Sequence, residues 1–220
     1  MTRPDGASAV MGIALDFDGV VLESVDAKTR AFERLFAPEG PENARRIVDF
    51  HVANGGISRF EKFRWAYREV LRRPLPPVEE ARLGERFNAL VEETVSRCDW
   101  VPGAREFIES WHARLPLYVA SGTPEDELRR IVARRGLDGR FRGVYGSPAR
   151  KDAILGRVAA ELGAQPGELV LVGDAMNDHD AAAAAGCRFV GRALPGGPAA
   201  FPPGTTVLAD LRGLAATLGL

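Results

Sequence analysis

Short apolar runs recur along the chain with the lengths that β-strands have in a buried sheet. They lack a strict alternation of apolar and polar residues, which is typical of strands covered on both faces. The clear runs span 12–17, 117–121, 143–147, 169–173 and 188–192, and a weaker one spans 205–209. The pattern predicts a parallel sheet in the interior of the protein.

Helical patterns lie between these runs from about residue 100 onward. The segments 102–115, 123–136 and 151–163 read as helices, and a further helix is expected over 178–186. In the second segment, Thr123 is a residue type that commonly caps a helix N-terminus. Strands that alternate with helices indicate an α/β fold with a doubly wound parallel sheet, covered by helices on both faces.

The region between the first and second runs breaks this alternation. It carries no strand pattern, and four helical patterns span 26–37, 43–53, 57–72 and 78–97. We therefore predict two domains. A Rossmann-like core comprises 1–24 and 99–220, and a small α-helical cap, residues 25–98, is inserted after the first strand.

Composition narrows the range of partners. The chain of 220 residues has 29 basic and 30 acidic side chains, a formal net charge of -1, which does not favour nucleic acid or an anionic membrane. No apolar run is long enough to span a bilayer, and the first residues do not resemble a secretory signal. We expect a cytoplasmic protein, a monomer or weak homodimer, that binds a small molecule.

Polar residues that could carry chemistry follow the predicted strands or open the next helix. They are Asp16, Asp18, Ser121, Gly122, Lys151, Asp174 and Asp178. Each residue alone has a structural explanation as a turn, a helix cap or a solvated side chain. In a doubly wound sheet, however, ligands bind beyond the carboxyl ends of the strands, so these residues are expected to meet at one site.

Such a cluster suits phosphoryl transfer. Clustered carboxylates repel one another, and a hard divalent cation such as Mg²⁺ relieves that repulsion. A lysine, a hydroxyl group and backbone N–H groups can hold phosphate oxygens. Asp16 and Asp18 are two positions apart and share one face in extended backbone, so one carboxylate could accept the phosphoryl group while another moves a proton.

Four motifs together resemble the haloacid dehalogenase superfamily of phosphohydrolases. They are "DFDGV" (16–20), "VASGT" (119–123), Lys151 and "GDAMND" (173–178). The resemblance implies that Asp16 is the nucleophile and Asp18 the general acid and base. It also implies that Ser121, Gly122 and Lys151 bind the phosphoryl group. A Mg²⁺ site would be formed by Asp16, Asp18 (through its carbonyl oxygen), Asp174 and Asp178.

A second resemblance lies in the cap. "GGISRFEKF" (55–63) is similar to the specificity loop of the β-phosphoglucomutase-like and phosphoglycolate-phosphatase-like members of that superfamily. It implies that Arg59 faces an anionic part of the substrate, and that Glu23 and Lys28, near the first cap linker, lie close to it. The alternative for these three residues is an ordinary place on the solvent-exposed surface.

The sequence leaves three functions to weigh. The first is a Mg²⁺-dependent phosphatase that hydrolyses a small phosphorylated metabolite, such as a sugar phosphate, through an aspartyl-phosphate. By resemblance, Asp18 favours a phosphate ester, whose leaving group needs a proton. The second is a phosphosugar mutase of the β-phosphoglucomutase type. The third, a non-catalytic receiver-like module, is disfavoured because its phosphate acceptor would follow a later strand, and it would have no use for a helical insertion of about 70 residues.

Overall fold

A six-stranded parallel sheet forms the centre of the computed structural model, which describes residues 9–194 and 201–220. The sequence predicts a loop rich in proline and glycine over 194–204, before the last strand, and its residues 195–200 lie outside the described residues. The strands are β1 (Gly12–Leu15), β2 (Leu117–Pro124), β3 (Gly143–Ser147), β4 (Leu169–Gly173), β5 (Arg188–Arg192) and β6 (Thr206–Leu208). The predicted parallel sheet and α/β class are therefore confirmed.

The strand order, β3-β2-β1-β4-β5-β6, places β1 near the middle of the sheet. Ile13 of β1 pairs with Leu117 on one side and with Val170 on the other. Every residue of β1 and β4 is buried, as expected for apolar runs without alternation. The chain adds β2 and β3 on one side of β1, and then β4, β5 and β6 on the other side. The strand order therefore reverses between β1 and β4, and ligands bind at this kind of switch point.

Helices cover the sheet and fill the segment after β1. Four of them, α1 (Val25–Phe36), α2 (Pro41–Ala53), α3 (Arg59–Trp65) and α4 (Pro77–Arg97), form what we call the helical insertion. Those that follow are α5 (Ala104–Trp111), α6 (Glu125–Arg134), α7 (Lys151–Leu162), α8 (Met176–Ala184) and α9 (Leu214–Leu218). A π-helical turn at Ala66–Val70 extends α3, and short 3₁₀ turns lie at Ala37–Glu39 and Pro166–Glu168.

The helical insertion has an aromatic interior centred on Phe32 of α1. Its ring lies 5.7 Å from the Phe63 ring and 5.1 Å from the Phe87 ring, measured between centroids. Both distances fall in the range in which aromatic pairs stabilise a core beyond the area they bury. We keep the two-domain division, 1–24 with 99–220 against 25–98, as a proposal.

Two local predictions differ from the structure. Strand β1 ends at Leu15 rather than at residue 17, because the chain turns there: the backbone N–H groups of Val21 and Leu22 both donate to the Phe17 carbonyl. Thr123 does not cap a helix, because β2 continues through Pro124 and α6 begins at Glu125. As a result, Asp16 follows the last residue of β1, and Thr123 lies near the carboxyl end of β2.

Candidate active site

Asp16, immediately after β1, makes the central contact of the site. Its carboxylate lies 3.1 Å from the Lys151 ammonium at the first position of α7. The same ammonium contacts Asp178, in the first turn of α8. All three side chains are buried, so three stretches that are far apart in sequence meet at the carboxyl edge of the sheet as predicted.

Burial and charge act in opposite directions on this group. Burial raises the pKa of Asp16 to about 7, even though the Lys151 ammonium lowers it. Burial alone would lower the pKa of Lys151, but the carboxylates of Asp16 and Asp178 hold it above its ordinary value. The ammonium therefore stays charged beside the Asp16 carboxylate.

A third carboxylate, Asp174, completes an acidic cluster. Oxygen atoms of Asp16, Asp174 and Asp178 lie within 4.8 Å of one another. Asp178 also accepts hydrogen bonds from the backbone N–H groups of Asp174 and Ala175, at 3.2 and 3.1 Å. These carboxylate oxygens are the ligand type that a hard divalent cation prefers, so the residues present fit such an ion.

The Asp174 carboxylate is the least supported member of that cluster. Among the described residues, none donates a hydrogen bond to it. Burial and the neighbouring carboxylates of Asp16 and Asp178 raise its pKa well above the ordinary value. A cation bound between the three groups would oppose that shift.

Asp18 has a separate set of partners, on the side of the helical insertion. Its carboxylate accepts hydrogen bonds from Ser24 at 2.5 Å and from Thr123 at 3.0 Å, and it forms an ion pair with Lys28 of α1. Burial would raise the pKa of Asp18, but these contacts, above all the Lys28 ammonium, hold it below its ordinary value. The Asp18 side chain therefore stands outside the acidic cluster, and the two acids of "DFDGV" have different environments.

The end of β2 closes the other side of the site. Ser121 and Gly122 line a cavity of about 110 Å³ together with Asp16 and Asp18. The Ser121 hydroxyl accepts a hydrogen bond from the backbone N–H of Thr123, which fixes the turn. The structure thus brings the predicted phosphate-binding residues of β2 to the same cavity as the acids.

The loop between α2 and α3 covers this cavity. A Cβ atom on Gly122 would lie 2.7 Å from the Gly56 carbonyl oxygen, and one on Gly56 would lie 2.7 Å from an Asp178 carboxylate oxygen. Asn177 of α8 also donates a hydrogen bond to the Gly55 carbonyl at 2.9 Å. The helical insertion is therefore in direct contact with the acidic cluster.

The three residues proposed near the cap have different placements. Lys28 lines the cavity and pairs with Asp18, as described above. Arg59 also lines the cavity, but its guanidinium pairs with Glu127 of α6 at 2.9 Å. Glu23 pairs with Arg192 of β5 at 2.6 Å and is not among the residues that line the cavity.

Three residues that have no predicted role at the site lie at the cavity in the structure. Thr123 binds Asp18 through its hydroxyl, and His51 and Lys62 of the helical insertion line the cavity wall. Thr123 and Lys62 stand within two of the quoted motifs, and the scarcity of lysine was a further signal for Lys62, because the chain contains three lysines and 26 arginines. His51 carries no comparable signal in the sequence.

A family model of haloacid dehalogenase-like hydrolases matches residues 10–186. The match spans most of the chain, including all four motifs, and the chain belongs to this family. The predicted family and the prediction of a hydrolase are therefore confirmed.

Relatives and solved structures agree with that assignment. Phosphoglycolate phosphatase of Pectobacterium atrosepticum is 28% identical over 197 residues, which cover 84% of this chain and 80% of the relative. The structure of CbbY from Rhodobacter sphaeroides in complex with phosphate has a TM-score of 0.73 at 22% identity, covering 96% of this chain and 100% of that one. β-Phosphoglucomutase from Clostridium difficile has a TM-score of 0.75 at 16% identity, covering 93% of both chains. The expected enzyme class, a hydrolase of phosphoric monoesters, agrees with the family and with the phosphatase relatives.

Within the two described ranges, none of the helices is both long enough and apolar enough to cross a bilayer.

Proposed function

We propose that the protein is a Mg²⁺-dependent phosphatase that hydrolyses a small phosphorylated metabolite through an aspartyl-phosphate on Asp16. The observation that carries the proposal is the placement of Asp16. Its buried carboxylate touches the Lys151 ammonium, adjoins two further carboxylates and lines the covered cavity. A nucleophile, a cation and a ligand set for a divalent metal thus lie together, as phosphoryl transfer requires.

In the first step, a carboxylate oxygen of Asp16 forms a bond to phosphorus, and the bond between phosphorus and the ester oxygen breaks. Asp18 gives a proton to the departing oxygen, so that an alcohol leaves. Asp18 is ionised in the arrangement described here, and the negative charge of a bound phosphate would favour the protonated form that this step needs. In the second step, ionised Asp18 takes a proton from water, the water oxygen bonds to phosphorus, and the bond to Asp16 breaks.

The remaining residues hold the reacting group. Lys151 neutralises charge next to Asp16, and Ser121 and Gly122 offer a hydroxyl and a backbone N–H to phosphate oxygens. Mg²⁺, when bound to Asp16, Asp174 and Asp178, supplies positive charge that favours ionised Asp16 and balances the transferring phosphoryl oxygens. The loop at Gly56 limits the access of bulk water.

The size of the cavity and the relatives support a small substrate. Its volume of about 110 Å³ is below the ~300 Å³ at which pockets for drug-sized ligands begin. Phosphoglycolate phosphatases, whose name describes a two-carbon substrate, are among the relatives. We therefore place phosphate esters of small metabolites before larger phosphorylated compounds.

The test is phosphate release from a panel of phosphorylated metabolites, with Mg²⁺ and with a chelator. We expect release that requires Mg²⁺ and a loss of at least about 1000-fold in kcat for Asp16→Asn, because the nucleophile is removed. The matched control is Asp180→Asn on α8, whose side chain is 68% exposed, and it should retain wild-type activity. Release by Asp16→Asn at the wild-type rate would contradict the proposal.

The same assay separates the phosphatase from the alternative predicted by the sequence, a phosphosugar mutase. A mutase returns the phosphoryl group to a sugar and needs a bisphosphate activator, so it releases little free phosphate. Isomerisation of a sugar phosphate without phosphate release would favour the mutase. A cytoplasmic location and a monomeric or weakly dimeric state stay predictions.

A further inference from the structure

The three lysines of the chain all lie at the candidate active site, whereas only one of the 26 arginines, Arg59, is among the described residues that line the cavity. Lys151 contacts Asp16 and Asp178, and Lys28 contacts Asp18. Each of these two ammonium groups therefore has a carboxylate partner within the protein. Lys62 on α3 is the exception.

Lys62 is buried, with 5% of its surface exposed, and it lines the cavity. Its amine nitrogen lies 3.1 Å from His51 Nδ1 and 3.1 Å from the His51 carbonyl oxygen. Among the described residues, no carboxylate comes within 4.0 Å of that nitrogen. A buried charge without a counter-ion is costly, so the position has to be explained.

His51 does not supply the missing negative charge. Burial and the nearby ammonium groups of Lys62 and Lys28 lower the pKa of His51 to about 3, so its ring is neutral at pH 7. The ring stacks on Phe32 at 4.2 Å between centroids, and its Nε2 lies 3.3 Å from the Thr29 hydroxyl. His51 is therefore a fixed, uncharged support for the Lys62 amine, and we treat it as a positioning residue.

The charges around Lys62 favour loss of its proton. Burial is the largest cause, and the cations Lys28 and Arg59 add to it, against the more distant carboxylates of Asp18 and Asp174. Together they lower the pKa of Lys62 to about 7. An anion seated beside the amine would reverse this effect, because an opposite charge favours the protonated form.

Arg59 is a poor candidate for the same task. Its guanidinium is already paired with Glu127, donates to Asn88 and lies over the Phe87 ring. Of the two cationic side chains that α3 presents to the cavity, Lys62 is thus the one without a counter-ion among the described residues. One ammonium group without a counter-ion, in a small cavity, is suited to bind one compact ligand group with a single negative charge.

We propose that Lys62, positioned by His51, binds a carboxylate group of the substrate and thereby selects phosphorylated hydroxy acids over neutral phosphate esters. The inference rests on the proposed phosphatase function and names the substrate class of that same site. It assigns recognition of the second anionic group to Lys62, where the resemblance had suggested Arg59.

The test compares two substrates that differ only at the end distant from phosphate. They are 2-phosphoglycolate, which carries a carboxylate, and 2-hydroxyethyl phosphate, in which a neutral CH₂OH group replaces it. The measured quantity is the specificity ratio, kcat/KM for the first substrate divided by that for the second. We expect Lys62→Met to lower this ratio about 10- to 100-fold, mainly through KM, as loss of a charged hydrogen bond predicts. Lys62→Arg, which keeps the charge, should recover part of it.

The matched control is Arg64→Met on the same helix, because the Arg64 side chain is 59% exposed and pairs with Glu80. Its specificity ratio should stay within about threefold of wild type. Thermal unfolding of each variant checks that it is folded. If Lys62→Met is folded and keeps the wild-type ratio, the inference is wrong.

A second measurement does not depend on turnover. Protein labelled with ¹³C-lysine gives three Cε signals, and the Lys62 signal is identified by its loss in Lys62→Met. In the Asp16→Asn variant, 2-phosphoglycolate should raise the pKa read from that signal, and 2-hydroxyethyl phosphate should raise it less. Equal effects of the two compounds would overturn the inference. Absence of hydrolysis of both compounds by wild type would instead count against the proposed function, and the NMR titration would still decide the role of Lys62.

Discussion

At the scale of single residues, Asp174 shows how the acidic cluster depends on a cation. Its carboxylate is half-buried next to those of Asp16 and Asp178 and accepts no hydrogen bond from the described residues. Its pKa is raised, so the folded protein binds a proton there more tightly than the unfolded chain does. By linkage, this group makes the metal-free protein less stable as pH rises above about 4, the ordinary value.

Replacement of this residue should therefore have opposite effects without and with metal. Asp174→Asn should raise the free energy of unfolding of the chelator-treated protein by about 1 kcal/mol at pH 8, and by less at pH 5, because like-charge repulsion is removed. The same variant should lose most of the increase in Tm that Mg²⁺ gives to wild type. Urea unfolding and thermal scans, each with Mg²⁺ or chelator, measure both effects.

Asp180→Asn serves again as the control, because this exposed carboxylate is on the same helix as Asp178. Its unfolding should respond to Mg²⁺ as wild type does. An equal rise in Tm for Asp174→Asn and wild type on addition of Mg²⁺ would exclude Asp174 as a ligand.

At the scale of elements, the loop between α2 and α3 connects the helical insertion to the acids. Gly56 has a φ of +79°, which glycine adopts readily, and it lies against the Asp178 carboxylate. Gly40, before α2, has a similar φ of +87°, but no atom lies within 4 Å of the position of its Cβ. A substitution at Gly40 therefore tests backbone strain alone, whereas one at Gly56 tests backbone strain together with contact with the site.

Gly56→Ala should impair catalysis, whereas Gly40→Ala should not. Both variants should lose stability because alanine is strained where φ is positive, and Gly40→Ala should lose about 1 to 3 kcal/mol, since a ψ of 156° at a φ of +87° is adopted almost only by glycine. In Gly56→Ala the new methyl group also displaces the loop or Asp178, and we expect kcat/KM to fall about 10- to 100-fold, as for a shift of about 1 Å at a reacting group. Steady-state kinetics of the two variants measure the loss of kcat/KM, and urea unfolding measures their loss of stability. Equal activity of the two variants would mean that the loop does not close over the site during turnover.

The sequence predicts most of the elements because long apolar runs and helical periodicities are strong local signals. The six strands and the main helices lie within a few residues of their predicted bounds. The sequence pattern misses α9, because five residues are too few to establish a helical period. It also misplaces Thr123, because a residue type that caps helices is equally suited to the end of a strand. The partners of Arg59 and Glu23 could not be predicted, because both contacts join segments far apart in the chain.

At the scale of the whole molecule, the Arg59–Glu127 pair links the helical insertion to the core. Both side chains are buried, at 5% and 3% exposure, and the second oxygen of Glu127 has no hydrogen-bond partner in the described part of the chain. Removal of one partner from a buried ion pair leaves the other charge uncompensated. The pair therefore holds two parts of the chain that are not adjacent in sequence.

Glu127→Gln should lower the free energy of unfolding by about 3 kcal/mol, because Arg59 is then buried without a counter-charge. The double variant Arg59→Met/Glu127→Gln should recover part of that loss, since no unpaired charge is left. The control is Glu109→Gln, which breaks the exposed pair with Arg140 and should cost less than about 1 kcal/mol. Urea unfolding measures all of these variants. A loss in Glu127→Gln no greater than in the control would mean that the pair does not hold the insertion to the core.

The distribution of lysine also determines which side chains of the protein react with electrophiles. The neutral form of a primary amine attacks acylating agents and reducing sugars, and every lysine side chain of this chain belongs to the active-site region. Arginine, which carries the positive charge elsewhere, keeps its proton and resists such reactions. Lysine acylation of this protein would therefore fall on the catalytic region alone, and Lys62, whose pKa is lowered to about 7 by burial, offers neutral amine for it near pH 7.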